Sequence, residues 1–333
     1  MIMVKGDILL RKTGIVVLIF VFLLLSYFTI QSAIKVFRSD WQLPTIDQQE
    51  EAYRLVLITQ DVETPFWDKV ASGAIKIAEE NGASLEVWGS YGNNTEDFLK
   101  KMEIAIHSKV DGIIIQGLDT EEFKQLTKIK ASFYGIPIIT VANDVPMSES
   151  LRRTYIGSDQ YKAGKLIAKQ LVSDMGATGE VVLMYDQQQE FYQTQRLNGI
   201  KDVLKDYPEV QIMYAETSDS REQTIASTQD VLNRMPEVDA FIAVSADVVG
   251  AMIQEISRRY QVEPYYIYSF DDGPDSLPLL EQGKLDGIIK QSPKEMGEKS
   301  VQLLLEWLNG ETVPLKSEGY FTEIDILKEK DMK

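Results

Sequence analysis

Short apolar runs alternate with longer amphipathic segments from Tyr53 to the C-terminal end of this 333-residue chain. The apolar runs are five or six residues long and rich in branched aliphatic side chains, which is typical of buried strands. Predicted strands are Leu55–Thr59, Ser84–Trp88, Gly112–Gln116, Pro137–Val141, Glu180–Tyr185, Val210–Ala215, Ala240–Val244 and Tyr265–Phe270.

The segments between these strands keep apolar residues at helical spacing, and several end at a glycine. Alternation of strand and helix predicts an α/β fold with parallel sheets. Asp144–Ser150 interrupts the alternation, and we interpret it as a crossing between two similar α/β lobes. Predicted helices include Phe66–Asn81, Glu96–Ser108, Asp159–Met175, Gln193–Asp206 and Ala246–Tyr260.

The N-terminal region contains 22 successive uncharged residues, Thr13 to Ile34. A helix of that length spans roughly 33 Å, which is enough to cross a bilayer. A cleaved signal peptide is the alternative, but Gln31-Ser32-Ala33 lacks a small residue where cleavage needs one. We therefore predict a cytoplasmic N-terminus over 1–12, an uncleaved transmembrane anchor over 13–35, a linker over 36–51 and a body on the extracytoplasmic side, since basic residues precede the anchor.

Composition excludes several classes of function. The formal net charge is −17, and residues 41–333 alone carry −20, so the body should repel nucleic acid. Cysteine is absent and His107 is the one histidine, which argues against thiolate chemistry, metal centres and a Ser-His-Asp triad. We predict no cofactor and no metal.

Polar and aromatic residues follow the predicted strands, where ligands bind in open parallel sheets. Phe66 and Trp67 come soon after the first strand, and they either pack on their own lobe or offer a flat platform to a sugar ring. Asp144 and Asp271 could in principle serve as the acid and nucleophile of a glycoside hydrolase. Carboxylates facing a cleft also bind hydroxyl groups, so we favour a binding protein over an enzyme.

Six motifs in order make the chain resemble the ribose and galactose type of periplasmic sugar-binding proteins, type I. They are Thr64-Pro65-Phe66-Trp67, Val110–Ile115, Gly135–Val141, Ile156–Asp159 with Ala163-Gly164, Gln195–Ile200, and Ser269–Asp272 with Gly283–Leu285. The resemblance implies two Rossmann-like lobes joined by three crossings, with the sugar held between them. On that basis the N-terminal lobe is expected over 52–157 and 292–316, and the C-terminal lobe over 158–291 and 317–333.

The resemblance also implies ligand-binding residues. The aromatic loop supplies Thr64, Phe66 and Trp67, and Arg196 matches a hydroxyl-binding arginine of the family. Where the family commonly carries Asp-Arg, this sequence has Asn143-Asp144, so the identity of the sugar is not transferable. The remaining implied residues are Ser245, Asp247, Asp271 and Gln291.

The predicted anchor extends this interpretation. A sugar-binding body tethered by its own helix resembles membrane-bound sensors that act beside a two-component histidine kinase. We therefore expect a monosaccharide, a pentose or a hexose, as ligand and a sensor kinase as membrane partner. The alternative is the substrate-binding subunit of a sugar ABC transporter, with its permease as partner.

Overall fold

The computed structural model describes residues 18–34, 53–92, 94–187, 190–218, 220–259, 265–271, 273 and 276–332. The chain divides into two compact units, Met1–Glu50 and Glu51–Lys333. In the first unit residues 18–34 form helix α1, whose large apolar side chains are exposed. Within the described ranges, no helix combines the length and the apolar character needed to cross a bilayer. The predicted segments 1–12 and 36–51, and the ends of the predicted anchor at 13–17 and 35, lie outside the described residues.

The second unit contains two six-stranded sheets. The first is ordered β11-β5-β4-β3-β1-β2 and is parallel throughout. Its strands are β1 Arg54–Thr59, β2 Ser84–Gly89, β3 Gly112–Gln116, β4 Ile138–Val141, β5 Thr154–Ser158 and β11 Tyr320–Thr322.

The second sheet is ordered β12-β10-β9-β8-β6-β7 and repeats the strand order of the first. It is parallel except for β12, which pairs antiparallel with β10. Its strands are β6 Gly179–Asp186, β7 Val210–Thr217, β8 Ala240–Ala243, β9 Tyr266–Phe270, β10 Gly287–Lys290 and β12 Asp325–Leu327. Two α/β lobes with parallel sheets are therefore confirmed.

Helices cover both faces of each sheet, so the central strands are buried on both sides. The strand β3 is buried over its whole length, as its unbroken apolar run predicts. The helices are α2 Pro65–Glu80, α3 Thr95–His107, α4 Glu121–Gln125, α5 Met147–Ser150, α6 Gln160–Met175, α7 Phe191–Leu204, α8 Arg221–Arg234, α9 Ala246–Arg259, α10 Ser276–Glu281 and α11 Pro293–Leu308. A π-helical turn, Leu126–Ala131, continues α4, and Glu329–Met332 forms a 3₁₀ turn.

The chain passes between the sheets three times, after β5, after β10 and between β11 and β12. The predicted crossing at Asp144–Ser150 is wrong, because this segment joins β4 to β5 within the first sheet and holds the short helix α5. The strand β11 pairs with β5 in the first sheet, whereas the expected boundaries assign all of 317–333 to the C-terminal lobe.

Glycines bring α6 and α7 into close contact in the second lobe. A Cβ at Gly164 would lie 2.1 Å from the carbonyl oxygen of Arg196, and one at Gly199 would lie 2.1 Å from that of Tyr161. Real side chains cannot approach a backbone oxygen so closely. The two helix backbones therefore touch at these glycines, and this contact fixes the position from which Arg196 projects.

Candidate ligand-binding cleft

A cavity of about 1030 Å³ lies at the carboxyl ends of the strands of both sheets. Residues that follow β1 and β4 line it from the first lobe, and residues that follow β6, β8 and β9 line it from the second. Nine of the ten residues predicted from the sequence lie along this cavity: Thr64, Phe66, Trp67, Asn143, Arg196, Ser245, Asp247, Asp271 and Gln291.

The aromatic loop is held by the start of α2. Thr64 is the N-cap residue, and its hydroxyl accepts a hydrogen bond from the backbone N–H of Trp67 at 3.4 Å. Pro65 occupies the first turn, where its missing N–H costs nothing. The rings of Phe66 and Trp67 pack edge to face with centroids 5.4 Å apart. Trp67 is mostly buried in the core of the first lobe while Phe66 is half-buried, so the pair joins the core to the cavity wall.

Arg196 is the buried cation of the second lobe. Its Nε donates to Oε1 of Gln160 and its Nη1 donates to the carbonyl oxygen of Val244, both at 2.8 Å. The guanidinium lies over the rings of Phe270 and Tyr192, at 4.1 and 4.8 Å from the ring centroids. Because two hydrogen bonds and two ring contacts hold this planar group, its orientation is fixed before any ligand arrives.

Asp271 links Arg196 to the inter-lobe crossings. One carboxylate oxygen lies 3.6 Å from Nη2 of Arg196, and the other accepts a hydrogen bond from Nε2 of Gln291. The amide oxygen of Gln291 in turn accepts from the hydroxyl of Ser158, the last residue of β5. A hydrogen-bonded chain therefore runs from the crossing after β5, through the crossing after β10, to Asp271, and an ion pair joins Asp271 to the guanidinium in the cleft.

Asp247 is open to the water of the cleft although protein surrounds it on most sides. The hydroxyl of Ser245 donates to its Oδ2 at 3.2 Å. Burial raises the pKa of Asp247, and the Ser245 hydrogen bond opposes the shift. The charges of Asp271 and Asp186 raise this pKa further, whereas the charge of Arg196 lowers it. Tyr192 contacts Ser245 from the other side, with 3.4 Å between the two hydroxyl oxygens.

A hydrogen bond between Asn143 and Glu190 joins the two lobes at the cavity wall. Asn143 follows β4 in the first lobe, and its Nδ2 lies 3.3 Å from Oε2 of Glu190. Glu190 is the residue before α7 in the second lobe. Polar groups of both lobes therefore meet at this position.

Asp144 lies outside this cavity, contrary to the sequence-based prediction. Its carboxylate accepts two hydrogen bonds from Arg152, at 2.5 and 2.6 Å, and one from Thr140 at 2.7 Å. Burial raises the pKa of Asp144, and the Arg152 pair opposes that shift. The carboxylate faces a smaller cavity of about 380 Å³ that is also lined by Tyr155 and Phe321.

The backbone conformation explains why the neighbouring residues Asn143 and Asp144 face different cavities. Ala142 has a positive φ of 63°, which turns the chain sharply at the end of β4. Asn143 then faces the cleft while Asp144 faces Arg152. The residue types alone carry no signal for this turn.

Sequence reasoning did not single out several other residues of the cavity wall. Gln60 and Gln116 form an amide pair, with Nε2 of Gln116 donating to Oε1 of Gln60 at 3.1 Å. Gln60 follows β1 and Gln116 ends β3, so their position at the carboxyl ends of strands could have indicated a role in the site. Amide side chains are too common at such positions for these two to be distinguished. The further lining residues include Gln60, Gln116, Gln160, Asp186, Glu190, Tyr192 and Gln193.

Comparison with known proteins places this architecture in a family. The family described as "Periplasmic binding protein domain" matches residues 55–312. The ribose import binding protein RbsB of Salmonella typhimurium is 21% identical over 79% of this chain and 87% of its own length. GanP, a glucose-galactose binding protein from Geobacillus stearothermophilus, is 29% identical with a TM-score of 0.78, over 85% of this chain and 99% of GanP. A chain of the XylFII-LytSN complex is 25% identical with a TM-score of 0.72, over 84% of this chain and 98% of that chain. The match over residues 55–312 establishes that this chain belongs to the periplasmic binding protein domain family.

Proposed function

We propose that this chain is an extracytoplasmic protein that binds one monosaccharide between its lobes. The observation that carries the proposal is the shared cavity, where the aromatic pair of the first lobe stands with Arg196 and Asp271 of the second. A sugar ring has an apolar C–H face and a rim of hydroxyl groups, and such a ligand needs both kinds of surface. Relatives described as ribose and glucose-galactose binding proteins support the ligand class.

In this proposal Phe66 and Trp67 take the apolar face of the ring. Arg196 donates to two oxygens of the sugar, because its planar fork presents parallel N–H groups. Asp271 accepts hydrogen bonds from the hydroxyl groups at the rim of the sugar, and Asn143 donates hydrogen bonds to them. Ligand contacts from both lobes favour the closed arrangement over the open one, as differential binding requires.

Hydrolysis of a glycoside has less support than binding. That alternative depended on Asp144 and Asp271 as a facing pair of carboxylates. Asp144 is paired with Arg152 and lies outside the cavity, so the two carboxylates do not face one substrate. The proposal is therefore a binding protein without catalytic activity.

The substrate-binding subunit of an ABC importer is the better supported biological role. The curated relative RbsB is described as an import binding protein, and several similar structures are described as ABC transporter solute-binding proteins. This reverses the preference of the sequence analysis, which put signalling first. Signalling to a membrane partner such as a sensor kinase is the second candidate, favoured by the similarity to a chain of the two-protein XylFII-LytSN complex.

Attachment to the cell membrane by the N-terminal region is also part of the proposal. It is supported by the uncharged run from Thr13 to Ile34 and by the exposed apolar side chains of α1. Membrane fractionation of the full-length chain tests it. Recovery in the soluble fraction after gentle lysis would contradict attachment.

A monosaccharide screen tests the proposed ligand class. The full-length chain, purified in a detergent without sugar groups, is mixed with ribose, xylose, arabinose, glucose, galactose and their epimers. We expect one or a few of them to raise the melting temperature and to give saturable heat in calorimetry. No response to any neutral or modified monosaccharide would overturn the proposal.

A second experiment separates import from signalling. In a strain that lacks this gene, uptake of the labelled sugar and transcription of sugar-induced genes are measured separately. Loss of uptake supports the importer role, whereas normal uptake with lost induction supports the sensor role.

A further inference from the structure

A patch of exposed apolar side chains lies on the first lobe, where α3 packs beside the helical segment that continues α4. Ile129, Phe133 and Tyr134 are all exposed there, Phe133 to 81%. The ring of Tyr134 packs edge to face against the rings of Phe133 and His107, with centroids 5.2 and 6.1 Å apart. Ile129 and Phe133 lie one helical turn apart, so these four side chains form one continuous surface. We call Ile129, Phe133, Tyr134 and His107 the surface patch.

The surface patch contributes nothing to the packing of its own lobe. Its three apolar residues belong to neither core cluster of the first lobe. Phe133 is the most exposed large hydrophobic side chain in the part of the chain that the structure describes. Single exposed apolar residues are normal on a protein surface, but a contiguous group of them marks a contact with another molecule or with lipid.

The surface patch lies at the amino-terminal end of the first sheet. Phe133 and Tyr134 come just before Gly135, after which the chain enters β4. His107 ends α3, and the chain then enters β3. The ligand cleft lies at the carboxyl ends of the strands of this sheet. A contact made through the surface patch would therefore leave the cleft uncovered.

The chain enters the folded body beside the surface patch. Arg54 is the first residue of β1, and its backbone N–H donates to Oδ2 of Asp111 at 2.7 Å. Its Nη2 donates to the carbonyl oxygen of Lys109, two residues after His107, at 2.8 Å. Eighteen residues, 35–52, separate α1 from the body, and even a fully extended chain of that length reaches only about 60 Å. A body attached to the membrane through its N-terminal region is therefore tethered at the end that carries the patch.

Basic side chains flank the surface patch on a body that is otherwise acidic. Four exposed cations and two carboxylates lie beside it, whereas residues 41–333 together carry −20. Lys109 and Lys128 belong to none of the ion pairs found among the described residues. The cations are Arg54, Lys109, Lys128 and Lys130, and the carboxylates are Glu103 and Asp111. This local positive charge favours a partner that carries negative charge.

A lipid surface matches both features of this end of the body. Aromatic and aliphatic side chains insert at the boundary between headgroups and acyl chains, and lysine and arginine attract anionic headgroups. The tether keeps this end of the body close to the membrane, which raises its effective concentration there. A second copy of this chain is a poorer occupant, because two copies meeting patch to patch would bring their cations together.

We propose that the folded body rests on the membrane surface through this patch, with Ile129, Phe133 and Tyr134 among the lipid headgroups and the flanking cations beside anionic phosphates. This inference rests on the membrane attachment in the proposed function, and it adds the surface through which the body itself contacts lipid. The contact orients the body, because the cleft lies at the opposite end of the first sheet and faces away from the bilayer.

A fluorescent label beside the surface patch tests the inference. Ser132 is exposed and precedes Phe133, so Ser132→Cys carries an environment-sensitive fluorophore without removing an apolar side chain. The labelled full-length chain is reconstituted in vesicles of phosphatidylcholine and phosphatidylglycerol. We expect its emission to shift to shorter wavelength and to be quenched by nitroxide-bearing lipid. The same label at Glu222→Cys, an exposed position of α8 in the second lobe, should keep the emission it has in water and resist quenching.

Variants of the Ser132→Cys chain identify the side chains responsible. Phe133→Glu should abolish the shift and the quenching, because a carboxylate stays in water and is repelled by anionic headgroups. Its melting temperature should not change, since Phe133 is exposed and lies outside the core clusters. The matched control is Tyr91→Glu, which changes an exposed ring after β2, at the opposite end of the same sheet, and should leave the quenching unchanged. Vesicles of phosphatidylcholine alone should give weaker quenching, since the cations lose their partners.

The outcomes distinguish the inference from the proposed membrane attachment. A labelled chain that does not float with the vesicles would overturn the attachment and the lipid contact together. A chain that floats with the vesicles while the Ser132 label stays in water would overturn the lipid contact alone and assign the surface patch to a protein partner. Equal quenching with and without Phe133→Glu, or equal loss in Phe133→Glu and Tyr91→Glu, would overturn the role of the patch.

Discussion

Arg196 should be essential to binding because two hydrogen bonds, an ion pair and two ring contacts hold its guanidinium at the cleft. Its partners Gln160 and Asp271 are polar groups at the wall of the cleft. In Arg196→Ala both groups lose the guanidinium as partner, and each polar group left unpaired carries a free-energy cost of about 1 to 3 kcal/mol. We expect sugar affinity to fall at least about tenfold, measured by calorimetry with the sugar that the screen identifies.

Two control variants sharpen this prediction. Arg196→Lys keeps the charge but loses the planar fork, so it should recover only part of the affinity. Arg234→Ala removes an exposed arginine paired with Asp230 and should bind normally. An affinity of Arg196→Ala equal to that of the unchanged chain would remove this residue from the site.

Asp144 is predicted to matter for stability and not for binding. Its carboxylate neutralises Arg152, whose side chain is only 3% exposed. Asp144→Ala leaves that guanidinium buried without its counter-charge, which costs about 3 to 5 kcal/mol of unfolding free energy. Denaturant unfolding should show the loss, while calorimetry of the folded protein should give unchanged sugar affinity. A large affinity loss with normal stability would contradict this assignment.

Asn143 and Asp144 mark the limit of what residue identity predicts. Both follow a predicted strand, and that position alone places them near the ligand. The difference between them arises from the left-handed backbone of Ala142 and from Arg152, eight residues beyond Asp144. Neither feature follows from a local sequence pattern. Arg196, in contrast, could be predicted because it lies in the motif Gln195–Ile200, inside a predicted helix.

The contact between α6 and α7 controls the position of Arg196. Gly164→Ala would place a methyl group against the carbonyl oxygen of Arg196, so the two helices must separate. We expect lower stability and weaker sugar binding together. The matched control is Gly250→Ala in α9, where an added Cβ meets nothing within 4 Å. That change should be neutral or stabilising by up to about 1 kcal/mol, since alanine favours a helix. Thermal unfolding and calorimetry of both variants check the prediction.

The predicted strands were those with long apolar runs, such as β1, β3 and β6, because burial on both faces demands such runs. The strands missed are β5, β10, β11 and β12, which lie towards one edge of each sheet. Tyr320–Thr322 and Asp325–Leu327 have three residues each, and partners far along the chain hold them in place. The same limit explains the misplaced crossing, because Thr154–Ser158 was not recognised as the fifth strand of the first sheet.

The three crossings connect the two lobes, and hydrogen bonds connect two of these crossings to the ligand site. Ser158 and Gln291 lie at two of these crossings and join Asp271 through hydrogen bonds. A ligand that engages Asp271 therefore acts on the same network that spans the lobes. Asn143 and Glu190, on opposite lobes, add a contact at the wall of the cleft. Binding and closure should accordingly be one event.

A distance measurement between the lobes tests this coupling. Because the sequence contains no cysteine, introduced cysteines are labelled without competition from native thiols. Lys100→Cys in α3 and Glu222→Cys in α8 place one exposed label site on each lobe. With spin labels at both positions, the sugar should shift the distance distribution and narrow it, since the closed arrangement is stabilised by contacts from both lobes. Adding Arg196→Ala should abolish the shift at the same sugar concentration, whereas adding Arg234→Ala should preserve it. A distribution that saturating sugar leaves unchanged would mean that the lobes do not move on binding, and ligand capture would then require a cleft already formed in the free protein.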